Sequence, residues 1–382
     1  MYLPILAIIL YKFNLSFIEI SYVLAVHGLS LMIFKVPLGY IMKTKNISNK
    51  SLVFTGEIFK TLGVLGLAFS YGNLYSLVIS QIISGTGFAL TTSTESNLLF
   101  AAMKSENIEN HYRKMEAKSQ GFSFLSILIS GITGSIVAAK NITMPLYLTA
   151  PFSLFAAITI LFFHEPQNTL TKNYNKNKET KIIKSEFSRI LNYLLFYALN
   201  RALILTIFVF VLPVFLLKVF NIDLVYFGTI LSLFSLTAFL IANNFEKLWL
   251  KFDKNELWII TPSSLFLAMF LLILKIKILL LIIPILLSIS ASIVRPLTMG
   301  KVYTIIKENN NTVISIGEQV FGLLNALFLI IMGYSFSYCE LNTTLYILML
   351  IFLLGNAMLM ISTKLTEKSD MKKQVEAKNL NQ

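Results

Sequence analysis

The sequence predicts an all-α membrane protein of twelve transmembrane helices, arranged as two pseudo-symmetric bundles of six. Three observations carry that prediction. About a dozen apolar runs, each near the ~20 residues needed to cross a ~30 Å hydrocarbon core, alternate with short polar joints. Of the 382 residues 56% are hydrophobic and only 13% charged, too little polar side chain to cover a water-facing surface. Finally, Ile18-Glu19-Ile20-Ser21-Tyr22 at the head of one run is echoed by Ile222-Asp223-Leu224-Val225-Tyr226 about half a chain later, the mark of an internally duplicated membrane bundle.

Helices rather than strands follow from the backbone. In lipid every N–H and C=O must be satisfied within the protein, which leaves helices or a closed barrel. Runs such as Leu265–Leu274 are apolar throughout and lack the alternation of barrel strands. In the first half the predicted spans are 2–13, 17–42, 51–71, 74–101, 119–139 and 143–163. In the second they are 191–217, 222–245, 256–275, 278–299, 312–336 and 342–363. The longest polar stretch, His164 to Arg189, carries Lys172, Lys176, Lys178, Lys181 and Lys184 and separates six spans from six. The expected domains are therefore residues 1–163, a cytoplasmic linker at 164–190 with a short amphipathic helix near Ile182–Ile190, a second bundle at 191–363, and a cytoplasmic tail at 364–382.

Charge sets the orientation. With both termini inside, the inner joints hold twenty-three Lys and Arg residues, and the outer joints only Lys12, Lys140, Lys218, Lys275 and Lys277. A shift of one span reverses that ratio, so the positive-inside rule predicts both termini in the cytoplasm. The first span is anomalous, because the eleven residues before Lys12 cannot cross a bilayer at about 1.5 Å per residue. The expectation is a missing amino-terminal segment. The alternative is a half-helix lying in the interface.

The net charge of +13 is spread over many joints with no basic domain, so nucleic acid is not expected as a partner. The lone Cys339 gives no disulfide framework, no Cys/His cluster has metal-ligand spacing, and no phosphate loop is present. No nucleophile with a nearby base stands out, so no enzyme and no cofactor are expected. Heavy use of Lys, Asn and Ile suggests an AT-rich bacterial genome, and hence a bacterial cytoplasmic membrane.

Several joints and helices have a family character. Pro37-Leu38-Gly39-Tyr40-Ile41-Met42-Lys43 stands where a Gly-x-x-x-Asp-Arg-x-Gly-Arg-Arg loop would lie, with Gly39 matching the first glycine. Lys43 replaces the acid and Asn46 the second glycine. Better matches are Gly85-Thr86-Gly87-Phe88-Ala89-Leu90 followed by Glu95, Tyr112-Arg113-Lys114 leading into Ser130-Gly131-Ile132-Thr133-Gly134, and Arg295-Pro296-Leu297 followed by Tyr303 and Thr312-Val313-Ile314-Ser315. Together they resemble a bacterial branch of the major facilitator superfamily across essentially the whole chain. The resemblance implies a secondary transporter working by alternating access, as a monomer, on a small-molecule substrate with protons as coupling ion. Efflux is the first expectation. Proton-coupled uptake of a small metabolite is the alternative, and a non-transporting sensor or immunity protein on the same fold a third reading. Gly39, Lys43 and Arg295 are its gating candidates.

An ionisable side chain inside a span is costly and marks function by default. Glu95 lies in an unusually polar stretch, Thr91 to Asn97, and is the leading candidate for reversible protonation; the alternative is a simple pair with a nearby Lys or Arg. Arg201, beside Asn200 about ten residues into span seven, could bind an anionic group or form a structural pair with Glu318. Glu318 and Asn325 lie two turns apart on one face, with Gln319 adjacent, a stripe that could line a cavity; the alternative is that Glu318 serves an inner gate near the membrane surface. His27 is mid-span and titrates near neutral pH in water, although a lone helix histidine is more often a packing residue. Glu57 and Lys60, three residues apart, read as a self-satisfied structural pair. Lys35 reads as snorkelling toward the inner surface, and Gly131 and Gly134 as a close-packing face of span five.

Overall fold

The computed structural model describes residues 5–45, 47–165, 184–251, 254–305 and 311–380, and among them every regular element is a helix. The first half comprises α1 (Leu6–Lys12), α2 (Phe17–Lys45), α3 (Asn49–Phe69), α4 (Leu74–Ser105), α5 (Tyr112–Lys140) and α6 (Met144–Leu161). In the second, α7 (Lys184–Thr206) runs through a π-helical turn, Ile207–Val211, into α8 (Leu212–Lys218). Then follow α9 (Leu224–Asn243), the short α10 (Phe245–Lys251), α11 (Lys254–Leu274), α12 (Ile282–Ile305), α13 (Asn311–Tyr338) and α14 (Leu341–Leu380). Among the described residues eleven helices are long and apolar enough to cross a membrane. With α1, buried from Leu6 to Leu10, they form the predicted twelve-element succession.

Local chemistry sets several helix starts. Ser16 and Glu19 form a reciprocal capping box at the head of α2: the Ser16 N–H donates to Glu19 at 2.8 Å and the Glu19 N–H to Ser16 Oγ at 3.3 Å. The acid in the repeated Ile18–Tyr22 motif is thus a cap. Asn73 caps α4 by accepting from the Ser76 N–H at 3.1 Å. Asn73→Ala is expected to cost about 1 kcal/mol, read as a lower melting temperature of the detergent-solubilised protein, with Asn73→Asp recovering the loss. Equal melting of all three proteins would contradict a capping role.

Several boundaries differ from the sequence reading. Helix α2 continues to Lys45, so Pro37–Lys43 is helical rather than a joint, and Gly39 and Lys43 lie within it. Helix α5 begins at Tyr112 rather than near 119, because Tyr112–Lys118 is made of residues that hydropathy rejects and a helix accepts. Helix α14 runs through the expected tail to Leu380, over a sequence free of Gly and Pro after Ile361. Most of the linker, 166–183, lies outside the described residues. Of the amphipathic helix expected near Ile182–Ile190, the part from Lys184 onward is the first turns of α7.

The two halves meet along two long helix pairs, α2 on α13 and α5 on α9. Small residues set both. A Cβ built at Gly28 would stand 2.8 Å from the Gly322 carbonyl, and one at Gly322 would stand 2.6 Å from that of Gly28. On the other pair a Cβ at Gly228 would meet the Gly131 carbonyl at 2.6 Å and collide with Ser135, so the small face of span five packs against α9. The α7–α8 span is the most enclosed of all, with 83% of its most apolar window buried. At the end of the molecule away from most Lys and Arg, the halves are also pinned by aromatics. The Tyr22 and Tyr334 hydroxyls are 2.6 Å apart, and the Phe17 and Phe336 rings 5.8 Å apart.

Candidate functional site

Toward the basic end, six ionisable side chains gather between the halves: Lys35 on α2, Glu95 on α4, Glu116 on α5, Arg201 on α7, Arg295 on α12 and Glu318 on α13. Charge taken into a low-dielectric interior must be paired or hydrogen-bonded, and the partners here are specific. Arg201 Nη1 donates to both Glu318 oxygens at 2.9 Å and also to the Tyr197 hydroxyl, which itself donates to Glu318 at 2.8 Å. The guanidinium lies 4.4 Å from the Phe321 ring centroid, a cation–π contact. This is the structural pair weighed from the sequence, and it lies within the second half.

The second pair crosses the halves. Arg295 Nε lies 2.9 Å from Glu116, and Arg295 Nη2 donates to Ser96 Oγ at 2.6 Å. Glu116 also accepts from the Tyr112 hydroxyl at 3.1 Å and from Ser96 Oγ at 3.2 Å. Sequence reasoning passed over Glu116, set in the charged string Tyr112–Lys118 that reads as a solvated joint. The available signal was helical: Tyr112, Glu116 and Gln120 recur every fourth residue on one face of α5. Beyond this pair, Lys114 meets Glu246 at 3.5 Å and Arg113 lies 3.8 Å from the Trp249 ring.

Lys35 does not snorkel. Its ammonium is buried, donating to the Ala89 carbonyl at 2.6 Å and to Thr92 Oγ1 at 3.2 Å. Two neutral acceptors on α4 hold it in place of water, which is why it can stay inside.

Glu95 differs from the other carboxylates. Its side chain is exposed, while Thr94, Ser96 and Asn97 beside it are buried. It sits in an accessible stripe of α4, Phe88, Thr92, Glu95 and Leu99, spaced three to four residues apart. Thr92 on this stripe receives Lys35, and its carbonyl receives Arg295 from the other half at 3.5 Å, so the stripe faces the space between the halves. The opposite face of α4 presents Ile79 and Ile82. Among the described residues the Glu95 carboxylate has no ion pair or hydrogen bond, so the simple pair weighed from the sequence is not formed.

The remaining candidates fall away from this centre. Glu318 and Asn325 do share a face, but it packs on α7 rather than lining a cavity. Asn325 Nδ2 donates to Thr206 Oγ1 at 3.1 Å and the Ala202 carbonyl at 3.3 Å, and both side chains are buried. Asn200 is likewise buried, tied at 2.8 Å to Asn356 of α14, a partner the sequence did not suggest. Gln319 is half-buried on α13. His27 packs edge-on against Phe88, ring centroids 5.0 Å apart, with Nδ1 buried and unpartnered among the described residues. Glu57 and Lys60 pair at 2.6 Å as expected, with the Lys60 ammonium over the Phe88 ring.

Comparison with known proteins agrees with this architecture. The chain is similar to an uncharacterized transporter of Buchnera aphidicola subsp. Schizaphis graminum (strain Sg), 29% identical over 175 residues. That match takes in 45% of this chain and only 42% of the relative's length. Among solved structures it resembles the nucleoside transporter NupG, with TM-score 0.63, 14% identity and 95% of each chain covered. It also resembles a variant of the E. coli fucose:proton symporter FucP, with TM-score 0.60, 13% identity, and 94% and 96% covered. At these identities the likeness is one of fold. The family model of the Major Facilitator Superfamily matches residues 1–329, and with paired halves meeting around a charged centre, the chain belongs to that superfamily of membrane transporters.

Proposed function

We propose that this protein is a proton-coupled secondary transporter that exports a small molecule by alternating access, with Glu95 as the group that exchanges substrate for a proton. It would sit in a bacterial cytoplasmic membrane with both termini inside, its bundles at 1–163 and 191–363 rocking about the charged centre. The carrying observation is the contrast among the carboxylates. Glu116 and Glu318 are committed to Arg295 and Arg201, whereas Glu95 is accessible from the space between the halves and has no partner among the described residues. A single accessible carboxylate holds either a proton or a cationic group, and that exclusion supports antiport over co-transport.

Inside-out vesicles carrying the protein, given an inside-acid gradient and a panel of labelled small amphipathic compounds, test this reading. Wild type is expected to accumulate at least one compound in a gradient-dependent way, and Glu95→Gln to fall to the level of protein-free vesicles. Accumulation driven only by the opposite gradient would point to uptake. Activity that survives both Glu95→Gln and collapse of the gradient would remove proton coupling at this site.

A further inference from the structure

Two accessible charges of opposite sign stand in the centre on different halves, and the protein leaves donors and acceptors on both. Glu95 is the acceptor. Arg201 is the donor: among the described residues only its Nη1 is engaged, with Glu318 and Tyr197, and a guanidinium carries five N–H groups. The Arg201–Glu318 pair is lopsided, with the Glu318 side chain 1% exposed and that of Arg201 26%. What this salt bridge presents to its surroundings is therefore the cation alone, with one face of the guanidinium backed by the buried Phe321 ring. Lys35 links the two charges: its ammonium sits on Thr92, one turn from Glu95 on α4, and its helix α2 packs on α13, whose Glu318 holds Arg201. Its own ammonium is buried on Ala89 and Thr92 and is not offered to a ligand.

We propose that the substrate is amphoteric: a small molecule with a protonated amine that binds Glu95 and a carboxylate that binds the unengaged edge of Arg201. The ammonium donates to the Glu95 oxygens. The carboxylate accepts from the planar guanidinium fork, a geometry a lysine does not reproduce. A ligand bearing both charges ties α4 to α7 and so bridges the halves, whereas one bearing a single charge leaves one side of the site facing only water. The proposal rests on Glu95 being the exchange site and adds the second anchor.

The test uses the purified full chain in detergent, its thermal stabilisation titrated with amino acids and dipeptides. Each is compared with its amidated form, which keeps only the cation, and its acetylated form, which keeps only the anion. The free compounds are expected to stabilise at concentrations at least about tenfold lower than either capped form, the scale of one lost charge-assisted hydrogen bond. Arg201→Lys, which keeps the charge beside Glu318, should erase the advantage over the amidated forms, and Glu95→Gln the advantage over the acetylated ones. Amidated compounds that act as well as the free ones, or a panel in which nothing stabilises the wild type, would overturn the amphoteric substrate. Gradient-driven flux lost in Glu95→Gln, with no preference for the free compounds, leaves the exchange site standing and removes this inference alone.

Discussion

Arg201→Ala is expected to destabilise the protein by about 3–5 kcal/mol, the cost of leaving a buried carboxylate without its countercharge. The loss falls on Glu318, whose side chain is 1% exposed and takes both of its ionic contacts from Arg201 Nη1. Lys35 and Arg295 remain within reach of that carboxylate and hold the effect toward the lower end. The reverse change, Glu318→Gln, is milder, because water already reaches the Arg201 side chain. The double variant should recover most of the stability that Arg201→Ala loses. Unfolding of the four proteins in detergent gives the cycle directly. An Arg201→Ala protein that unfolds like the wild type, or a double variant no better than the single one, would show that this pair does not hold α7 to α13.

The second large effect comes from Gly28. Its Cα faces the Gly322 backbone so closely that even a methyl group would stand 2.8 Å from a carbonyl oxygen that cannot swing aside. Gly28→Val is therefore expected to prise α2 from α13, costing about 1–3 kcal/mol as overpacking and abolishing transport, since every cycle passing through this closed contact is blocked. Gly228→Val should do the same independently at the α5–α9 pair. Flux measured in vesicles at matched protein content reads both. Wild-type flux in either variant would mean that the halves do not need that approach in order to work.

The fold was legible because lipid imposes a coarse rule: long apolar runs must be helices, and every second joint is basic. That rule reads length and charge, so it found eleven long spans and the short α1, and it misjudged whatever depends on propensity rather than hydropathy. The start of α5 is the telling case. Tyr112–Lys118 is as polar as a loop, yet it is helical, and the same misjudgement hid Glu116. Apart from Glu116, the residues of the site were legible singly but not as pairs. Arg201 with Glu318 was one of two readings of the sequence. Arg295 with Glu116 was not reachable, because it joins residues 179 positions apart through a closure of the halves that no local pattern encodes. Lys35 was misread for the opposite reason: a long aliphatic stem can snorkel, and only the geometry reveals a carbonyl and a hydroxyl near enough to keep it in.

The six central charges have one more consequence, which concerns the membrane voltage. Three cations and three carboxylates balance when all are ionised, and Glu57 with Lys60 adds nothing to the sum. Rocking of the halves in that state would move no net charge of the protein through the field, so voltage gives it no push. A proton on Glu95 leaves the centre one charge positive, and the field then acts on it with up to about 2.3 kcal/mol per 100 mV. On the proposed coupling, the proton-loaded step is the one the membrane potential drives, and the step carrying an amphoteric, net-neutral cargo is electrically silent.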